Sequence, residues 1–146
     1  MSIFAGIKNA TTTNGGNYLR PGTHELELLK VMQGRTRKGV DFVAADFRIL
    51  STTSEEHAVG STVNYFAGAD KDGFLSNVKS LALAILSAHA GEMVSDASVD
   101  EEVMNELLSD SGSSVAGARI NADAFHVDTR RGGKFTKIVW TPVFEA

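Results

Sequence analysis

Apolar and polar residues alternate through the first part of this chain, recur every three or four positions in its middle, and alternate again towards its end. Over 24–33, Leu26 and Leu28 share one face of an extended segment, while Leu29 and Val31 share the other. That change of phase predicts a β-bulge, or a strand bending between two sheets. Over 40–50 the alternation is clean. Val43, Ala45, Phe47 and Ile49 form one face, and Phe42, Ala44, Asp46 and Arg48 form the other, which predicts a half-buried strand. The short Gly-bearing stretch 34–39 makes the two segments a hairpin. A third strand is expected over 57–67, with Val59, Val63 and Tyr65 in one phase and Phe66 in the other.

The period then lengthens. Phe74, Leu75, Val78, Leu81, Ala82, Ile85 and Leu86 follow the spacing of a helix with one apolar face. Asp70 or Asp72 is placed to cap its start, and Gly91 follows its end. Ser98-Val99-Asp100-Glu101 reads as a capping box opening a second helix, whose narrow apolar stripe is Val103, Met104, Leu107 and Leu108. Two more strands are expected over 118–129 and 135–143, joined by a turn centred on Gly132-Gly133. Pro142 suits an edge or a terminus. Residues 1–17 end in the small, polar, Gly-rich run Thr11–Asn17, which predicts a mobile or loosely docked arm that Phe4 and Ile7 anchor. Residues 18–146 then form one domain, with its helical section at about 70–110. The order is β-β-β-α-α-β-β, that of a five-stranded OB-like Greek-key barrel, mainly β with a helical insertion.

Composition supports a single globular domain. A chain of 146 residues can bury about two-thirds of its unfolded surface without a staple. It has no cysteine, which rules out thiolate metal sites, Cys nucleophiles and redox pairs and suits a reducing compartment. Its longest aliphatic run, 81–86, is far too short to span a bilayer, and residues 1–6 lack the pattern of a signal peptide. The expectation is a soluble intracellular protein with no membrane partner.

Net charge is −4, which argues against a nucleic-acid partner until the charge is mapped. Residues 92–110 hold seven acids and no base, so the remaining 127 residues carry a net +3. Six of the 14 bases fall in two short stretches, Arg35-Thr36-Arg37-Lys38 and Arg130-Arg131-Gly132-Gly133-Lys134. OB-folds bind oligonucleotides on the face of strands two and three, with the loops between strands one and two and between four and five. The two basic stretches are those two loops. A local basic patch weighs more with a phosphate backbone than the global sum does.

The ordered motifs carry a resemblance. They begin with Gly15-Gly16-Asn17-Tyr18, Pro21-Gly22-Thr23 and Thr36-Arg37-Lys38-Gly39. Phe42-Val43, Phe47-Arg48-Ile49-Leu50 and Val59-Gly60-Ser61-Thr62-Val63 follow. The last are Asn77-Val78-Lys79, Gly133-Lys134-Phe135-Thr136-Lys137 and Trp140. Along most of its length the chain thus resembles a family of small phage-encoded single-stranded-DNA-binding proteins. The resemblance implies an OB-like fold, a role in coating single strands during phage DNA replication or recombination, and the cytoplasm of a bacterial host as location. Replication or recombination proteins and further copies of the chain are the other partners it implies. The chain departs from many such binders in its C-terminus, Pro142–Ala146, which has one acid where they carry an acidic tail.

Single strands are held by cations and by aromatic rings that stack on bases. The candidate binding residues are Arg35, Arg37, Lys38, Phe42, Arg48, Tyr65, Phe66, Arg130, Arg131, Lys134 and Lys137. Phe42 is expected to point outwards beside Arg48, either to stack on a base or to cover a helix or neighbouring subunit. Trp140, between aliphatic neighbours, reads as core. The acidic segment is expected to face away from the strand path. Catalysis finds no support: His24, His57, His89 and His126 show no metal-ligand spacing, and no phosphate-binding glycine motif is present. Asp70-Lys71-Asp72-Gly73 lacks the remaining ligands of a calcium loop. The expectation is a non-enzymatic binder of single-stranded DNA with no cofactor and no metal. The alternative is a phage structural or assembly protein using the same small barrel for protein contacts.

Overall fold

A computed structural model describes residues 18–128 and 134–144. Five antiparallel strands form one open sheet in the order β3-β2-β1-β4-β5. They are β1 (Gly22–Arg35), β2 (Asp41–Thr52), β3 (Thr62–Gly68), β4 (Arg119–Asp128) and β5 (Lys134–Pro142). Between β3 and β4 come helices α1 (Phe74–Ala90) and α2 (Glu101–Leu108). The expected N-terminal arm 1–17 and the turn 130–133 lie outside the described residues.

The change of phase in β1 is resolved by a bulge. The β1–β2 register slips between Leu28 and Lys30, so Leu29 is the extra residue. Leu26, Leu28 and Val31 all then point into the core, each at most 1 % exposed. β2 keeps the face expected of it: Val43, Ala45, Phe47 and Ile49 are buried. β1 pairs with β4 only over Gly22–Glu27. Beyond that point Leu28 exchanges hydrogen bonds with Gly117 and Ala118, both 2.8 Å, so the backbone next to the bulge stays satisfied.

The helices cover one face of this sheet. Val78, Leu81, Ala82 and Ile85 of α1 pack with Val31 and Val43, and Met104, Leu107 and Leu108 of α2 join them. The segment Ser109–Val115 reverses the chain through three left-handed residues, Asp110, Ser111 and Gly112. Gly112 rests directly on Val31, where any Cβ would strike the Val31 side chain and lie 3.1 Å from its backbone.

Several local expectations need correction. β3 starts at Thr62, not near 57, and Val59 sits in the β2–β3 loop with 67 % of its surface exposed. No acid caps α1: its N-cap is Gly73, in the left-handed region at φ 79°, which an Asp side chain would occupy only with strain. α2 is capped by Asp100 rather than Ser98. The Asp100 carboxylate accepts from Val103 N–H at 2.9 Å, and Ser98 ends a preceding 3-10 turn. Both residues are good caps; placing Asp100 there sets Val99 and Met104 at the two positions of a hydrophobic staple. The expected barrel is also not a closed ring. Among the described residues no ladder joins β3 to β5. The two edges face each other across a cleft of about 450 Å³ lined by Tyr65, Asn77, Thr136 and Trp140, and the Tyr65 and Trp140 rings meet edge-on at 5.2 Å. No helix among the described residues is long and apolar enough to cross a membrane.

Candidate nucleic-acid interface

The face of the sheet turned away from the helices carries an aromatic pair. Phe42 of β2 and Phe66 of β3 are diagonal neighbours two residues apart in the ladder, Phe42 opposite Gly68 and Phe66 opposite Ala44. Their rings stack at 4.9 Å with 30° between planes. Phe42 also lies over Gly34, its partner on β1; a Cβ there would come within 2.6 Å of the ring. Phe42 is therefore half-buried between Gly34 and Phe66, and Phe66 is the more open ring at 50 % exposure. The outward phase expected of Phe42 is the observed one. The ring covers a glycine and a neighbouring strand rather than a helix.

Cross-strand ion pairs fill much of the remaining face. Arg119 meets Glu25 at 2.7 Å, Arg48 meets Glu27 at 3.4 Å, and Lys30 meets Asp46 at 3.4 Å. Asn64 of β3 donates to Asp46 as well. These pairs hold the strands in register and leave this part of the face nearly balanced in charge. Arg48, a candidate cation, is thus already engaged.

The β1–β2 turn divides the same way. Arg35 binds Asp41 at 2.8 Å across the base of the turn, and this contact raises the Arg35 pKa and lowers that of the Asp41 carboxyl. Arg37 and Lys38 are exposed and make no ion pair among the described residues. Thr36 shapes the turn, accepting from Gly39 N–H through its carbonyl and from Val40 N–H through its hydroxyl. Gly39, at φ 82°, permits the left-handed step that closes it.

The remaining candidates are scattered. Tyr65 lies on the covered face, against Trp140, where burial pushes its phenol pKa up. Trp140 is core, 8 % exposed, and its ring also meets Phe47 at 5.5 Å. Lys137 is exposed on β5, opposite Phe125 of β4, with three strands between it and Phe66 in the sheet order. Arg130 and Arg131 lie outside the described residues; Lys134 is the first residue of β5. α2, with Glu101, Glu102 and Glu106, packs on the covered face, opposite Phe42 and Phe66.

One cluster has no signal in the sequence. His24 is fully buried. Its Nε2 donates to the Arg20 carbonyl and its Nδ1 meets the Thr52 hydroxyl, both at 2.7 Å. The Thr52 oxygen also accepts from Ser54 N–H at 3.0 Å, which ties the end of β2 to the same cluster. The His57 ring lies edge-on at 5.5 Å and its Nε2 accepts from Arg20 N–H at 2.9 Å. Burial first, then His24 and Arg20, lowers the His57 pKa, with Glu56 opposing. The pair pins residues 20–24 to the β2–β3 loop. Thirty-three positions separate the two histidines, too far for any local spacing rule. Among the described residues no three His, Asp or Glu side chains converge to hold a metal ion.

No protein-family model matches this chain, and no curated protein does.

Proposed function

We infer that the protein binds single-stranded DNA without sequence preference on the outer face of β2 and β3, as an OB-like barrel left partly open between β3 and β5. The observation that carries the reading is the outward-facing Phe42–Phe66 stack, which joins β3 to the β1–β2 hairpin whose turn bears Arg37 and Lys38. Stacked rings take any base, because every base has a π-face, and nearby cations take the phosphates. The strand order supports the reading: β3-β2-β1-β4-β5, with the helices inserted between β3 and β4, is the OB order short of its closing ladder. Coating of strands in phage replication or recombination is the role this chemistry suits.

A second reading is a protein-contact module. The net charge of −4 and the engagement of Arg35 and Arg48 by carboxylates favour it. Titrating labelled oligo-dT, and a duplex of equal length, over a range of salt separates the two. A strand binder prefers oligo-dT and loses affinity with a log–log slope of about −0.7 per phosphate neutralised. Absence of oligo-dT binding at low salt would leave the protein-contact reading.

A further inference from the structure

On the helix-covered side, a groove of about 390 Å³ opens between α1, α2 and the ends of β1 and β2. Its apolar lining includes Phe74, Leu75, Val78, Val99, Met104 and Leu108. Leu75, in the first turn of α1, is 78 % exposed. A lone exposed leucine is ordinary, but one on the lip of an apolar groove adds to a continuous surface of the kind that takes a partner. Met104 adds an unbranched, adaptable side chain to that surface.

The rim is acidic. Asp100 and Glu101 line it, and Glu102 and Glu106 follow on the exposed side of α2. The one base in the lining, Lys79, is held by Asp96 at 3.2 Å. Glu101, Glu102 and Glu106 make no ion pair among the described residues. The groove therefore joins an apolar floor to uncompensated negative charge, and its complement is a segment with large apolar side chains on one face and Lys or Arg beside them.

We propose that this groove docks a basic amphipathic helix of a partner protein, with apolar anchors between α1 and α2 and its cations against Asp100, Glu101 and Glu102. The proposal does not depend on nucleic-acid binding. Val43, which lines the groove, and its neighbour Phe42 point to opposite faces of β2, so partner and single strand occupy different sides of the sheet.

The test uses a fluorescent leucine–lysine amphipathic peptide, and a control with serine at every leucine, against the full chain. The leucine–lysine peptide should bind saturably and the serine–lysine control at least about tenfold more weakly, the cost of one or two lost apolar anchors. Leu75→Ser, an exposed change that leaves the fold intact, should weaken peptide binding by about the same factor while oligo-dT binding stays unchanged. Glu101→Gln with Glu102→Gln should weaken it and flatten its salt dependence. Equal binding of both peptides, or indifference to Leu75→Ser, means general attraction to an acidic protein and overturns the proposal. So does a concentration-dependent dimer abolished by Leu75→Ser, which assigns the groove to a second copy. NMR contacts between the Met104 methyl and Ile3 or Phe4 in the free protein would likewise give it to the chain itself.

Discussion

Phe42, Phe47 and Phe66 lie within one hairpin and its neighbour, yet they differ in what they hold. Phe47 is core, 1 % exposed and against Trp140, so Phe47→Ala should cost about 3–5 kcal/mol of stability through the cavity it opens. Phe66→Ala should leave urea unfolding nearly unchanged and cost about 1–3 kcal/mol of oligo-dT affinity, without altering the salt slope, since no phosphate contact is lost. Phe42→Ala should show both effects, because its ring covers Gly34 as well as stacking on Phe66. Paired melting and oligo-dT titrations check all three; a Phe66→Ala protein with unaltered affinity would remove the aromatic pair from the site. Asp41 offers the opposite test. Asp41→Asn releases Arg35 and removes a repelling carboxylate, so affinity at low salt should rise and the salt slope should steepen by about 0.7. An unchanged slope would place Arg35 away from the strand.

At the level of elements, the bulge in β1 and the segment after α2 depend on each other. Leu29 is accommodated as an extra residue, which turns Val31 into the core, and Gly112 then closes on Val31. Gly112→Ala meets two obstacles: a φ of 74° that a side chain rarely adopts, and contact with Val31. It should destabilise the domain by about 1–3 kcal/mol, read from the midpoint of urea unfolding. The switch of apolar phase was legible in the sequence; of its two solutions, a bulge or a bend between sheets, the β1–β2 register shows the bulge. The cap of α2 was legible only as a region. Ser98 and Asp100 are both competent, and the choice rests on where Val99 and Met104 find apolar neighbours.

For the whole molecule, His57 couples stability to pH. His57 accepts the Arg20 N–H only as a neutral ring, and its pKa in the fold lies below the ordinary 6.5. The unfolded chain therefore binds the proton more readily. The contribution of His57 is complete above about pH 6.5 and is lost as pH falls from there through the folded pKa. Urea unfolding at pH 7.5 and at pH 5.5 should show lower stability at the acid value. His57→Gln keeps an acceptor for Arg20 without a titrating group, and it should reduce that difference. An equal loss in the variant would assign the pH dependence to other groups.

The sequence by itself determined what depends on near neighbours: the alternation that makes β2 two-faced, the three-and-four spacing that makes α1 amphipathic, the change of apolar phase in β1, the burial of Trp140 among aliphatic residues and the outward turn of Phe42. Each follows from the period of the backbone and from the few residues on either side. Tertiary structure alone decided which charges are free. The pairing of Arg48 with Glu27, and of Arg119 with Glu25 across 94 positions, depends on strand register set by the whole sheet. The same holds for His24 and His57, and for the gap between β3 and β5, where no local pattern states whether two edges that approach will also bond. Solvation follows from position in the sheet, and position in the sheet is a property of contacts far apart in the chain.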